Sequence, residues 1–90
     1  MKSALSEGGK MLTEYIKTAM HGAKYKLISD GTFFGEIPRL DGLWANAETL
    51  EACRDELEES LEEWILLGLQ LGHPIPAIDG IDLSFKKEVA

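Results

Sequence analysis

The sequence predicts an α+β domain in the order α-β-β-β-α-β. Helices pack on an antiparallel three-strand meander, and a fourth strand lies parallel at its edge. Three observations carry this. An apolar stripe at helical spacing opens the chain, and two short β-prone runs flank an Asp-Gly pair. A long helix bounded by a threonine cap and a Gly-x-Pro stop then separates the third strand from the fourth.

The first helix rests on Leu12, Tyr15, Ile16, Ala19, Met20 and Ala23, which fall on one face at i, i+3, i+4, i+7, i+8 and i+11. Thr13 is placed to cap its start and Gly22 its end. Residues 1–10, MKSALSEGGK, lack the apolar core of a secretory signal. They read as a disordered leader or tag remnant, with Met11 as the natural start and residues 11–90 as the single domain.

Strands one and two are AKYKLI and TFFGEI, joined through SDG. A two-residue loop at Asp30-Gly31 pairs Lys24 with Ile37. A three-residue loop pairs Leu27 with Phe33 and sets Lys24 opposite Glu36. Only the second register gathers Ala23, Tyr25, Leu27, Phe33, Gly35 and Ile37 on one face, so it is preferred, with Gly31 at the left-handed bulge position. Pro38 ends strand two, PRLDG is a connection, and LWANA is strand three.

Thr49 caps the second helix, which runs to about Leu71 before Gly72 and Pro74 stop it. At 1.5 Å per residue it is roughly 34 Å long, so it overhangs strands of about 17–20 Å. Leu50, Cys53, Leu57, Leu61 and Trp64 form its expected sheet-facing stripe. Its second half, WILLGLQL, is apolar nearly all round. That predicts cover by the first helix or by a second subunit, with Trp64, Leu66, Leu67 and Leu69 as an oligomer interface. Last, IDLSF alternates Ile81, Leu83 and Phe85 against Asp82 and Ser84 and reads as strand four, reached by a right-handed crossover.

Composition bounds the function. The chain has 90 residues, 44% of them apolar, and 9 basic against 16 acidic side chains give a net charge of −7. That balance argues against a nucleic-acid or membrane surface and for a basic partner, or simply for solubility. A single cysteine excludes an intramolecular disulfide framework, and the chain reads as cytoplasmic. The longest apolar run, residues 64–71, is too short for a membrane span, which needs about 20 residues.

The candidate chemistry is sparse. His21 and His73 have no second ligand at metal spacing, and Asp30, Asp79 and Asp82 fall in turns or at strand edges. Cys53 lies on an apolar stripe with no cation to activate it. No phosphate loop or nucleophile motif is present, so neither an enzyme, a metal nor a cofactor is expected. The acidic residues of the second helix, from Glu51 to Glu63, serve either a basic partner or a solvated face. Phe34 and Trp44 fall on the sheet face away from that helix. Cover for them comes from the first helix, a second copy or a partner.

The run from Tyr25 to Leu67 resembles the HicB-type antitoxin family. The resemblance rests on Tyr25 opening strand one, Asp30-Gly31 in the hairpin, and Phe33-Phe34-Gly35 in a strand that ends in proline. It continues through residues 38–42 (Pro-x-x-x-Gly) and Thr49-Leu50-Glu51-Ala52, with Pro74 and Pro76 later. It covers roughly residues 23–85. The resemblance implies a HicB-like domain with a partial ribonuclease-H-like fold and no ribonuclease catalysis. It implies a partner too: a small basic HicA-type toxin that cleaves mRNA and whose active site the antitoxin covers. The DNA-binding segment that many members carry after this domain has no counterpart within the sequence, so direct nucleic-acid binding is not expected. Phe34, Glu36, Asp41, Trp44 and Glu48 are the expected partner-binding residues, because they set carboxylates beside aromatic anchors. A homodimer or higher oligomer is expected as well; the rival reading is a structural or regulatory homo-oligomer without a toxin.

Overall fold

The structure, a computed structural model, describes residues 3–83. Five elements follow in order: α1 (Ser3–His21), β1 (Lys24–Leu27), β2 (Phe33–Glu36), β3 (Trp44–Ala47) and α2 (Leu50–Leu71). The three strands form one antiparallel sheet in the order β1-β2-β3.

The hairpin has the three-residue loop. Leu27 pairs with Phe33 and Lys24 with Glu36. Gly31 takes the left-handed conformation at φ 86°. The Asp30 carboxylate accepts from the Thr32 backbone N–H at 2.9 Å and from its hydroxyl at 2.6 Å, which closes the turn. Those two bonds hold the Asp30 carboxyl below its ordinary pKa.

On the inner face Gly35 is buried beneath Tyr25 and Cys53. A Cβ placed on Gly35 would stand 2.8 Å from the Tyr25 ring and 3.1 Å from the Cys53 Sγ. Only a glycine lets the ring lie across β2 while α2 closes on it. Across the next pairing, Gly35 meets Ala45, also buried. Two small residues at the centre of the sheet are what bring the helix axis close.

Both ends of α2 follow the expected caps. The Thr49 hydroxyl accepts from the Ala52 N–H at 3.0 Å. Gly72 is left-handed at φ 73°, and the His73 N–H reaches the Gly68 carbonyl at 2.9 Å. The buried stripe, however, is Cys53, Leu57, Leu61, Ile65 and Gly68. The expected stripe therefore needs two corrections: Leu50 is 43% exposed and Trp64 is only half-buried. Four-residue steps advance the stripe by about 40° each, carrying it from residue 61 to 65 and not to 64. Past the sheet its neighbour is Ile75, whose side chain abuts Gly68.

Helix α1 begins at Ser3, not near Thr13, so Thr13 lies within the helix. Residues 3–10, expected as part of a leader or tag remnant, carry helical backbone. Propagation adds one hydrogen bond per residue once a helix is nucleated, and here it carries through Gly8 and Gly9. Among its described side chains Tyr15 and Ala19 are buried, and α1 packs against α2. It does not cover Phe34 and Trp44.

After α2 the chain is irregular but buries Ile75, Ile78 and Leu83. Ile78 and Ile81 bond each other's backbone at 3.1 and 2.8 Å around a tight Asp79-Gly80 turn, with φ of 48° and 82°. Both central residues have positive φ, as this kind of turn demands. The expected fourth strand is therefore not seen among the described residues. Ile81 is in an isolated bridge, Asp82 and Leu83 are in no strand, and Ser84 and Phe85 lie outside the described residues. In the β2–β3 connection, Leu40 and Leu43 turn inward and close the core at that end.

A candidate protein-binding face

Strand alternation puts Lys24, Lys26, Phe34, Glu36, Trp44 and Asn46 on the sheet face opposite α2. The register sets them in two rows, Lys24–Glu36–Trp44 and Lys26–Phe34–Asn46. Phe34 and Trp44 are diagonal neighbours on adjacent strands. Their rings stack with centroids 6.0 Å apart and 21° between planes. The Lys26 ammonium sits 5.8 Å from the Phe34 ring centroid, within cation–π range. Trp44 is 58% exposed, a large aromatic left open on a flat face.

Asn46 is engaged within the sheet. Its amide donates to the Thr32 hydroxyl at 2.8 Å and to the Phe33 carbonyl at 2.9 Å. These bonds tie the hairpin end of β3 to β2. At the opposite end, Arg39 pairs with Asp79 at 3.2 Å and ties the β2–β3 connection to the last turn. Both partners are exposed, so this pair adds little stability.

Of the five expected partner-binding residues, the structure brings Phe34, Glu36 and Trp44 together. Asp41 lies in the connection that leads into β3, and Glu48 lies just past its other end. Six residues lie between those two, the four of β3 among them, a span of at most about 23 Å. The carboxylates therefore bracket the aromatic pair rather than cluster on it. Sequence reasoning paired Lys24 with Glu36 but missed Lys26 on Phe34. The signal was available, since the preferred register sets residue 26 directly opposite 34.

The second candidate surface is on α2. Leu66, Leu67 and Leu69 are 59%, 55% and 43% exposed, and Leu71, which was not expected in this set, is 58% exposed. Trp64 instead lines a small pocket of about 160 Å³ with Leu67, Gly68, His73, Pro74 and Ile75.

The remaining chemistry is quiet. Cys53 is fully buried and its thiol donates to the Ala45 carbonyl at 3.6 Å. Burial foremost, then nearby Glu56, pushes its pKa up, so at neutral pH it is a protonated core thiol. Among the described residues no group of three or more His, Cys, Asp or Glu side chains is placed to hold a metal ion. No helix among them is long and apolar enough to cross a membrane.

Comparison with known proteins agrees with this architecture. The crystal structure of TTHA0281 from Thermus thermophilus is similar at a TM-score of 0.80 and 36% identity. The match covers 86% of this chain and 96% of that one. No curated protein matches the chain. A family model described as UPF0150-like matches residues 14–76, which run from the buried part of α1 through the sheet and α2 to the proline that Tyr15 binds. By that match, over well more than half its length, the chain belongs to the UPF0150-like family.

Proposed function

We propose that this protein is the inhibitory member of a toxin–antitoxin pair, binding a small basic HicA-type mRNA-cleaving toxin and covering its active site. The observation that carries the reading is the stacked Phe34–Trp44 pair on a sheet face that α1 leaves open, with Glu36 beside Trp44 on the adjacent strand. A groove that binds RNA offers cations for phosphates and flat surfaces for bases. An inhibitor that occupies it presents carboxylates and aromatic rings in their place. The β2–β3 half of the face has this character, and Asp41 and Glu48 extend it at either end. The lysines sit on the β1 side, so the toxin engages the face off-centre, toward β3.

Membership in the UPF0150-like family supports the HicB-type resemblance. That resemblance carries a partial ribonuclease-H-like topology with a fourth strand beside β1, an edge at which Leu27 is 64% exposed.

The test is co-expression with the basic reading frame encoded beside this one, reading growth rescue and binding kinetics together. The wild-type protein restores growth. A triple variant, Glu36→Lys, Asp41→Lys and Trp44→Ala, stays folded and does not. Full neutralisation by that folded triple variant moves the toxin site elsewhere. Absence of any basic nuclease next door or bound in cells favours the structural homo-oligomer instead.

A further inference from the structure

Three Asp-Gly pairs stand in exposed turns, at residues 30–31, 41–42 and 79–80. In this dipeptide the glycine nitrogen has no side chain beside it to hinder its attack on the neighbouring carboxyl carbon. The fold treats the three pairs differently. At the hairpin both reacting groups are engaged. The Gly31 N–H donates to the Ile28 carbonyl at 2.9 Å, and the Asp30 carboxylate accepts twice from Thr32. In the last turn the Asp79 carboxylate is paired with Arg39 at 3.2 Å. At the remaining pair neither group is held. Among the described residues none binds the Asp41 carboxylate and none accepts the Gly42 N–H. The turn itself explains the free nitrogen. The Leu43 N–H donates to the Leu40 carbonyl at 3.2 Å and Gly42 lies at φ 86°, so residues 40–43 form a type II turn, whose central N–H takes no part in the turn's own bond.

We propose that Asp41 is a site of spontaneous covalent modification, at which the native chain isomerises to isoaspartate through a cyclic imide. The Gly42 nitrogen bonds to the side-chain carboxyl carbon of Asp41, and its proton leaves with the carboxyl hydroxyl as water. Water then reopens the ring. Opening at the side-chain carbon restores aspartate. Opening at the main-chain carbonyl leaves Gly42 joined through the side chain, so the backbone gains one methylene and the free carboxylate moves to the α position. The attack needs the Asp41–Gly42 peptide to rotate, and no neighbouring atom lies within 4 Å of the Cβ position at Gly42 to oppose it. Leu40 and Leu43, 1% and 6% exposed, flank the turn and close the core, so a methylene added between them displaces one or both. The modification stands independently of the toxin-binding reading.

The native full chain is aged in warm, mildly acidic buffer and then digested. Cleavage after Lys26, Arg39 and Arg54 puts the three pairs in separate peptides. Electron-transfer fragmentation locates isoaspartate in each, and methyl transfer from S-adenosylmethionine by an isoaspartyl methyltransferase counts it. Residue 41 converts at least ~5-fold faster than residues 30 and 79, a barrier difference of about 1 kcal/mol. In guanidinium, where the turns are lost, the three rates converge. Asp41→Glu removes the product at 41, because the larger ring closes far more slowly. Arg39→Ala frees the Asp79 carboxylate and raises conversion at 79, while the fold is kept, since that exposed pair adds little stability. Equal native rates at the three pairs, or a faster rate at 30 or 79, overturn the proposal. So does a native residue 41 that stays intact while the unfolded chain converts. An Arg39→Ala chain with unchanged conversion at 79 overturns the protection assigned to the ion pair.

Discussion

The Tyr15 hydroxyl donates to the Pro76 carbonyl at 2.6 Å, joining residues 61 positions apart in the chain. Tyr15 is fully buried and is the largest buried side chain that α1 contributes. One bond thus pins the first helix to the irregular segment beyond α2, where no ladder or coil seam holds them together.

Removing that hydroxyl takes the protein donor from the carbonyl of Pro76, an exposed residue that water can reach. Tyr15→Phe keeps the ring and the packing, so its cost isolates the hydrogen bond, about 0.5–1.5 kcal/mol in urea titration. An unchanged unfolding midpoint would mean that water serves Pro76 as well as the phenol does.

Stability falls in alkali. Burial is the largest cause raising Tyr15 and Tyr25 above the ordinary 10.0 and Cys53 above the ordinary 9.0. A raised folded pKa means that the unfolded chain loses these protons first. The native state is therefore at full strength below the ordinary values and weakens as pH climbs past them toward the folded ones. Thermal melts between pH 8 and pH 11 show the loss, and Tyr15→Phe with Cys53→Ala flattens it.

Gly35→Ala drives its methyl into the Tyr25 ring and costs about 1–3 kcal/mol by overpacking. Adding Tyr25→Leu to the same chain recovers part of that loss, because the two positions share one contact. Simple additivity of the two changes in a double-mutant cycle would break the link between them.

Leu61→Ala costs about 2–5 kcal/mol, enough to unfold a domain this small, whereas half-buried Trp64→Ala costs clearly less, about 1–2 kcal/mol. Reversal of that order in denaturant titration would return Trp64 to the core stripe.

On the proposed toxin-binding face, the expected effect of Trp44→Ala is mainly faster dissociation, since a central aromatic holds a complex together. Glu36→Lys mainly slows association and flattens its salt dependence, as charges near an interface do. Surface-binding kinetics separate the two effects.

The hairpin register was legible because only one pairing gathered Ala23, Tyr25, Leu27, Phe33, Gly35 and Ile37 on a single side. The ends of α2 were legible because Thr49 and Gly72 are capping residues with a physical reason for their places. Leu40, Ile75 and Ile78 were not, although all three are buried. They sit in irregular chain, where burial follows no period that a sequence can display. The exchange of Trp64 for Ile65 has a related cause: the helix leaves the sheet and meets Ile75, a neighbour from a segment without pattern. On the candidate face the aromatic pair could be read from alternation. Its open state could not, because that depended on where α1 docks, and α1 pairs with α2.

Ile75, Ile78 and Leu83 also bear on the order in which the molecule assembles. The two hairpin-linked strands are neighbours in the chain and form early, since short loops close at small entropic cost. Ile65 and Gly68 gain their partner only when the segment after α2 arrives, and Tyr15 waits 61 residues for its acceptor. A nascent chain emerging from the ribosome therefore holds a nearly complete α2 with its edge at Ile65 and Gly68 uncovered until the segment carrying Ile75 is made. For that interval this apolar edge is an exposed route to misassembly.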